Sequence, residues 1–494
     1  MKGCHCKSGQ PFFYKNLNIM RIFYLFFLLI WVSQPIFSQQ IQWAHSLIKY
    51  SSDLGGKQYG IKRILGKPDV FPTGGYSPNA WSPKNALDGR EVIIVGLEKP
   101  QTVKQVAIFE NLNAGCVTKI SLSTDGEKFE TVWTRKPDYQ TPVFRTTLAT
   151  DRSYYFGRKR RKVEDIPEVI NPGIEHAFLD KAYSQITAVK VELNFALIPG
   201  GKQLDAIGVS DSDQPIVAVI NTKANFENLA PSREIFDSSF HVSSVCISID
   251  GSTLFANTIL DSGIFEIYSY VKNEMGNWVQ NKKEAQIIDQ DGYNFVEFAS
   301  TQFLLKGGST YSKGNNETGF ELFTIENGNF ISKGPIKVAA YNNYHDYADA
   351  SITSDLKVLV MAIETDFSQG GSDLYFAFQK EDGTYGFLQN MGKNINSAAE
   401  EFNPQLLSDQ KTLLFASDGY SGFGNFDLYV SYRLDDTWKN WSIPVNLGSQ
   451  INSAEFEGSP YYDETSQTLY YTTFSDNQSI IKSLVFPKKD LILN

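Results

Sequence analysis

Between residues 403 and 452 apolar and polar positions alternate in short runs broken by Gly, Asn and Asp: NPQLLSDQKTLLFASDGYSGFGNFDLYVSYRLDDTWKNWSIPVNLGSQIN. Alternation buries one face of a strand, and turn-forming residues end it. The stretch predicts three strands, a Gly-rich turn, a Trp-containing loop and a fourth strand closing at Asn446-Leu447-Gly448. A single four-stranded unit cannot cover both of its faces, so it needs neighbours built the same way.

The neighbours are present. The third-strand phrase Phe426-Asp427-Leu428-Tyr429 recurs as Phe265-Glu266-Ile267-Tyr268, Phe320-Glu321-Leu322-Phe323 and Ser372-Asp373-Leu374-Tyr375, with a thinner copy at Ile481-Lys482-Ser483-Leu484. The second-strand phrase Thr412-Leu413-Leu414-Phe415 returns at Thr253-Leu254-Phe255 and Thr468-Leu469-Tyr470-Tyr471. The outer phrase Asn390-Met391-Gly392 with Asn396-Ser397 returns as Asn446-Leu447-Gly448 with Asn452-Ser453. A period in the low fifties with four strands per period predicts a β-propeller over residues 226–494. Five copies fit that length as five blades; six shorter blades are the alternative. Phe226-Glu227-Asn228-Leu229 resembles the outer strand, so an N-terminal strand is expected to complete the last blade and close the ring.

Residues 41–213 carry alternating runs at 92–95, 103–109, 119–123, 188–193 and 206–209 and no useful helical period, which predicts an antiparallel β-sandwich. Residues 214–225 are left as a linker, and 134–183 read as a polar insertion between strands. The whole chain is therefore expected to be all-β.

Composition agrees: 35 Phe, 25 Tyr and 37 Gly suit pleated surfaces joined by tight turns. A net charge of −10 gives no electrostatic reason to bind nucleic acid or an anionic membrane. Arg21 precedes an apolar run from 22 to 32, then Pro35 and Ser38, which predicts a signal peptide over 1–38. Met20 would itself serve as a start, so residues 1–19 are readable as an over-long beginning. Export to the periplasm, the outer membrane or the cell surface is expected, with no transmembrane span after cleavage and no lipoprotein cysteine. Cys4 and Cys6 flank His5 inside that leader, while Cys116 and Cys246 fall in different domains, so neither a disulfide framework nor a zinc site is predicted.

The pieces Ile64-Leu65-Gly66-Lys67-Pro68-Asp69, Ala86-Leu87-Asp88-Gly89, Ser123-Thr124-Asp125-Gly126 and Gln203-Leu204-Asp205-Ala206-Ile207-Gly208 give the first domain an order that resembles the galactose-binding-like, discoidin-type jelly roll. The repeat resembles the WD-like propeller of the TolB kind. The pair is similar to envelope proteins of Bacteroidetes-type bacteria, many of which continue into an OmpA-type peptidoglycan-binding domain that is not expected here.

The first resemblance implies glycan, lipid or protein binding through loops at one end of the sandwich. Tyr76 and Trp81 in the loop Gly74–Trp81 are the candidates, since a flat ring stacks on a sugar. Plugging the end of the sandwich is the competing role for Trp81. Asp88 lies where carbohydrate-binding relatives support Ca²⁺; a plain Asp-Gly turn is the alternative, and no other cofactor is implied. Arg160, within the basic run 158–162, is the candidate contact for an anionic polysaccharide or head group, against a simple solvated loop.

Five-bladed propellers include glycosidases, which need two carboxyls across the scissile bond. Asp346, Asp349, Glu401 and Glu457 lie near first strands, but Glu401 and Glu457 repeat with the blade, as structural residues do. No catalytic motif for a triad, zinc hydrolase or P-loop occurs. The sequence thus points to an exported, non-enzymatic binding or scaffold protein whose partners are envelope proteins or glycan; a propeller glycoside hydrolase or lyase with a carbohydrate-binding domain is the runner-up.

Overall fold

The computed structural model describes residues 39–86, 89–135, 171–236, 241–260, 265–288, 294–307, 317–339, 341–345, 347–475 and 478–492. The leader, Asp88, the basic run with Arg160, and Asp346 lie outside the described residues.

Two long strands, Arg90–Glu110 and Gly173–Asn194, organise the first domain. They pair antiparallel along their whole length, with register shifts between Gly96 and Gln105. The expected runs at 92–95 and 103–109 are two halves of one strand, joined through Glu98-Lys99-Pro100. Part of the stretch read as an insertion is likewise strand, from Gly173 onward. The first half of Arg90–Glu110 carries Ser46–Tyr50 on one side, and the second half carries Ala206–Ser210, which in turn pairs with Ile41–Trp43. Val117–Ser123 and Glu130–Thr134 continue from the other long strand. Folding the ribbon over brings Ile93, Val95, Val106, Ile108, Val189, Val191 and Ile207 into one buried core, the sandwich the alternation predicts.

The remainder forms five antiparallel four-stranded sheets, each one blade, and the ring has five blades. Blade one runs from Val242–Ile247 to Trp278–Lys283, blade two from Phe295–Ala299 to Asn329–Lys337, and blade three from Asp349–Ile352 to Gln389–Asn390. Blade four runs from Glu401–Leu406 to Val445–Asn446, and blade five begins at Glu457–Asp463.

Closure happens in blade five, as the repeat predicts, but not through the expected residues. The fourth strand is Arg233–Glu234, which pairs with Ser483 and Lys482 of Gln478–Val485. Phe226–Asn228 is instead a single 3₁₀ turn that buries Phe226 edge-on against Phe486, ring centroids 5.2 Å apart. An apolar ring directed inward at a turn reads in sequence like the start of a strand.

A hydrophobic cluster fills each gap between neighbouring blades, including the one where Tyr470 and Ile481 of blade five meet Val242 and Val245 of blade one. Residues 214–225 are ordered as a strap. Ile216 is buried on the sandwich, and Thr222 bridges in parallel to Asn446 on the outer edge of blade four.

The sandwich end that carries residues 57–79 sits on blades three and four. Asn79 Nδ2 donates to Gly419 O at 2.9 Å, and its Oδ1 accepts from Ala398 N at 2.8 Å. Thr73 donates to Gly422 O at 2.9 Å, and Ser421 donates to Pro68 O at 2.8 Å.

Candidate functional site

The recurring phrases are explained by a polar staple. In blade four Asp427 accepts the N–H groups of Phe423 and Gly424 and the side-chain amide of Asn446. Asn452 accepts from Leu428 N and donates back to Leu428 O and Asn446 Oδ1. Blade three repeats this with Asp373, Asn390 and Asn396. Burial pushes the carboxyls of Asp373 and Asp427 up to about 6, against the pull of the donors around them.

Glu401 and Glu457 belong to the same architecture. Glu401 accepts from Ser397 N and Ser417 Oγ, and Glu457 from Ser453 N, Ser453 Oγ and Thr473 Oγ1. Their place in the repeat is to hold the loop entering each blade. This leaves them no free oxygen pair for chemistry.

A cavity of about 390 Å³ lies where the inner strands converge. Its rim comes from the starts of inner and third strands: Phe265, Phe402, Phe426 and Phe456, with Glu400 and Asn425. Phe402 packs on Phe426 and Phe456 at 4.9 and 6.1 Å between centroids, and the latter two are 5.6 Å apart. Deeper lie Glu297, Asp349, Tyr461 and Cys246.

Asp349 Oδ2 accepts Asn403 N at 3.1 Å, so that carboxyl is used by the ring. The Ala350 N–H opposes the effect of burial on Glu297. Burial raises the proton affinity of both carboxyls, with Asp349 adding to the effect on Glu297 and the Asn403 N–H and His345 opposing it on Asp349. Among the described residues, Glu297 Oε1 is shielded from solvent and has no hydrogen-bond partner. Glu297 escaped the sequence reading because blade two lacks the Asp-Leu-Tyr and Asn-Leu-Gly phrases of the later copies; it sits in a bulge between Val296 and Phe298 that blades one, four and five also have.

Of the residues proposed from sequence, Trp81 is fully buried; it bridges to Leu204, and its indole N–H donates to Ser52 O at 3.2 Å. No ring face is left for a sugar, because the ring packs into the sandwich's own core beside Phe195, 6.4 Å between centroids. Tyr76 remains 59% exposed, its ring 5.5 Å from that of Tyr59. The central cavity and Tyr76 are therefore separate features. Among the described residues no group of three His, Cys, Asp or Glu could hold a metal, and no helix is long and apolar enough to cross a membrane.

No family model and no curated protein matches the chain. Solved structures match at low similarity. The chitosan-binding module 1 of a chitosanase/glucanase from Paenibacillus sp. IK-5 is 18% identical, with 34% of this chain and 96% of that one covered and a TM-score of 0.21. TolB from Acinetobacter baumannii is 12% identical over 51% of this chain and 55% of its own, with a TM-score of 0.31. An α-L-arabinofuranosidase from Lactobacillus brevis is 12% identical over 52% of this chain and 94% of its own, with a TM-score of 0.35. The OmpA-type relationship gains no support.

Proposed function

We propose that this chain is an exported binding protein of the bacterial envelope, in which the propeller offers its central cavity to a ligand and the sandwich buttresses blades three and four. The observation that carries the reading is the use of Asp349 as the acceptor for the next blade's backbone, the task that the amide of Asn403 performs one blade on. An acid–base pair must exchange protons with substrate and water; Asp349 stands where an amide serves equally, as a structural acceptor does.

One observation favours the runner-up, a glycoside hydrolase. Glu297 and Asp349 are acids at one cavity where blade four has Asn403 instead, so the ring symmetry is broken there. The test is to incubate the intact chain with aryl glycosides and envelope polysaccharides, and to assay binding to the same panel on a glycan array. Retention without release of reducing sugar is expected. Turnover that disappears in both Glu297→Gln and Asp349→Asn would overturn the proposal. Tyr76 is the proposed glycan contact of the sandwich, and Tyr76→Ala should lower retention by the isolated array without altering the propeller cavity.

A further inference from the structure

The cavity has an unusual chemical balance for a space of its size. Among the described residues no Lys or Arg lines it, while three carboxyl side chains do: Glu297, Asp349 and Glu400. Phe402, Phe426 and Phe456 supply packed phenyl rings at the rim, with Phe265 and Phe295 beside them. One acceptor is left over, the solvent-shielded Glu297 Oε1. Aromatic rings with carboxyl oxygens and no fixed cation make an environment for a positive charge, which the ring quadrupoles attract and the carboxyls neutralise.

We propose that the central cavity binds a compact organic ammonium ion, which sits among the carboxyl side chains of Glu297, Asp349 and Glu400 and whose carbon skeleton lies against Phe402, Phe426 and Phe456. This rests on the binding-protein reading above and adds the ligand class. A volume of about 390 Å³ suits a small molecule rather than a folded partner. The charged groups facing Glu297 are Asp349 and, beyond it, His345.

Isothermal titration of the intact two-domain chain with phenethylammonium, neutral phenethyl alcohol and anionic phenylacetate tests this directly. The ammonium ion is expected to bind at least about tenfold more tightly than the alcohol, and phenylacetate not at all. Glu297→Gln should lose at least about tenfold of the ammonium affinity while the alcohol is unaffected, and the exposed Glu381→Gln should match wild type. Asp349→Asn is the second variant, since it keeps a backbone acceptor and removes a charge. Each variant's melting curve reports that it is folded. Absence of ammonium binding up to about 10 mM, equal binding of the alcohol, or unchanged affinity in both variants overturns the proposal. If neutral glycans bind where amines fail, the ligand class is lost and the binding function stands; if glycosides are cleaved, the binding function is lost whatever the amines do.

Discussion

Asp349 Oδ2 accepts the backbone N–H of Asn403 at 3.1 Å, and Asn403 Oδ1 does the same for Ser459 at 3.0 Å, so two residues one blade apart perform one task. Acid and amide are interchangeable as acceptors, which tells what the position is for. Asp349→Asn should therefore fold normally, with little change in stability. Asp349→Ala leaves Asn403 N buried without an acceptor and should cost about 1–3 kcal/mol. Urea denaturation of the two variants checks this; equal losses would show that charge, not acceptance, matters at that site.

Glu110 gives the fold a pH dependence. It is 2% exposed and accepts Gly115 N and Cys116 N, each at 3.0 Å. Burial outweighs those donors and moves its carboxyl from 4.5 to about 7. The folded state thus holds the proton more tightly than the unfolded state, so its contribution is complete below about 4.5 and is lost as pH rises through about 7. The change is on the order of 3 kcal/mol. Glu110→Gln never ionises and should flatten the stability profile across that window, measured by thermal melts at stepped pH. A profile as steep as wild type would place the titrating group elsewhere.

What the sequence discloses follows from how local each constraint is. Asp427, Asn446 and Asn452 form one staple within a single blade, so their spacing survives from copy to copy and the propeller is legible. Blade two offers no such staple in its phrases, so it is recognised mainly by Phe320-Glu321-Leu322-Phe323. The cavity gathers Cys246, Glu297, Asp349, Phe402 and Tyr461 from five blades, and no spacing along the chain announces that meeting. Trp81 is legible as an aromatic on a loop, but its burial depends on Ser52, Phe195 and Leu204, which the sandwich brings to it from distant parts of the chain.

Ring closure predicts a large local cost at one side chain. Phe226 is fully buried in the cluster between blades four and five, against Phe486, and it anchors the segment that leads into the closing strand Arg233–Glu234. Phe226→Ala should destabilise by about 3–5 kcal/mol, the usual cost of emptying such a site. Amide exchange should speed up first in Gln478–Val485, the strand that Arg233–Glu234 covers. Uniform exchange across all blades would mean that the ring is closed by other contacts.

Asn79 tests whether sandwich and propeller act as one body. The side chain is 1% exposed, donates to Gly419 O and accepts Ala398 N, so both ends of its amide are spent on the other domain. Asn79→Ala strands a buried carbonyl and a buried N–H at once, each costing about 1–3 kcal/mol. Asn79→Asp keeps the acceptor but turns the donor into a second oxygen facing the Gly419 carbonyl, so it should be as harmful or worse. Calorimetry reads the consequence: a single unfolding transition in wild type should split in Asn79→Ala, the sandwich and propeller melting apart. Thr73→Val removes only one partly exposed contact, to Gly422 O, and should leave the single transition in place. If Asn79→Ala still unfolds in one step at the wild-type temperature, the two domains are held together without this amide, by the strap at Ile216 and Thr222 and by the neighbouring contacts of Gln58 with Ala398 O and Ser421 with Pro68 O.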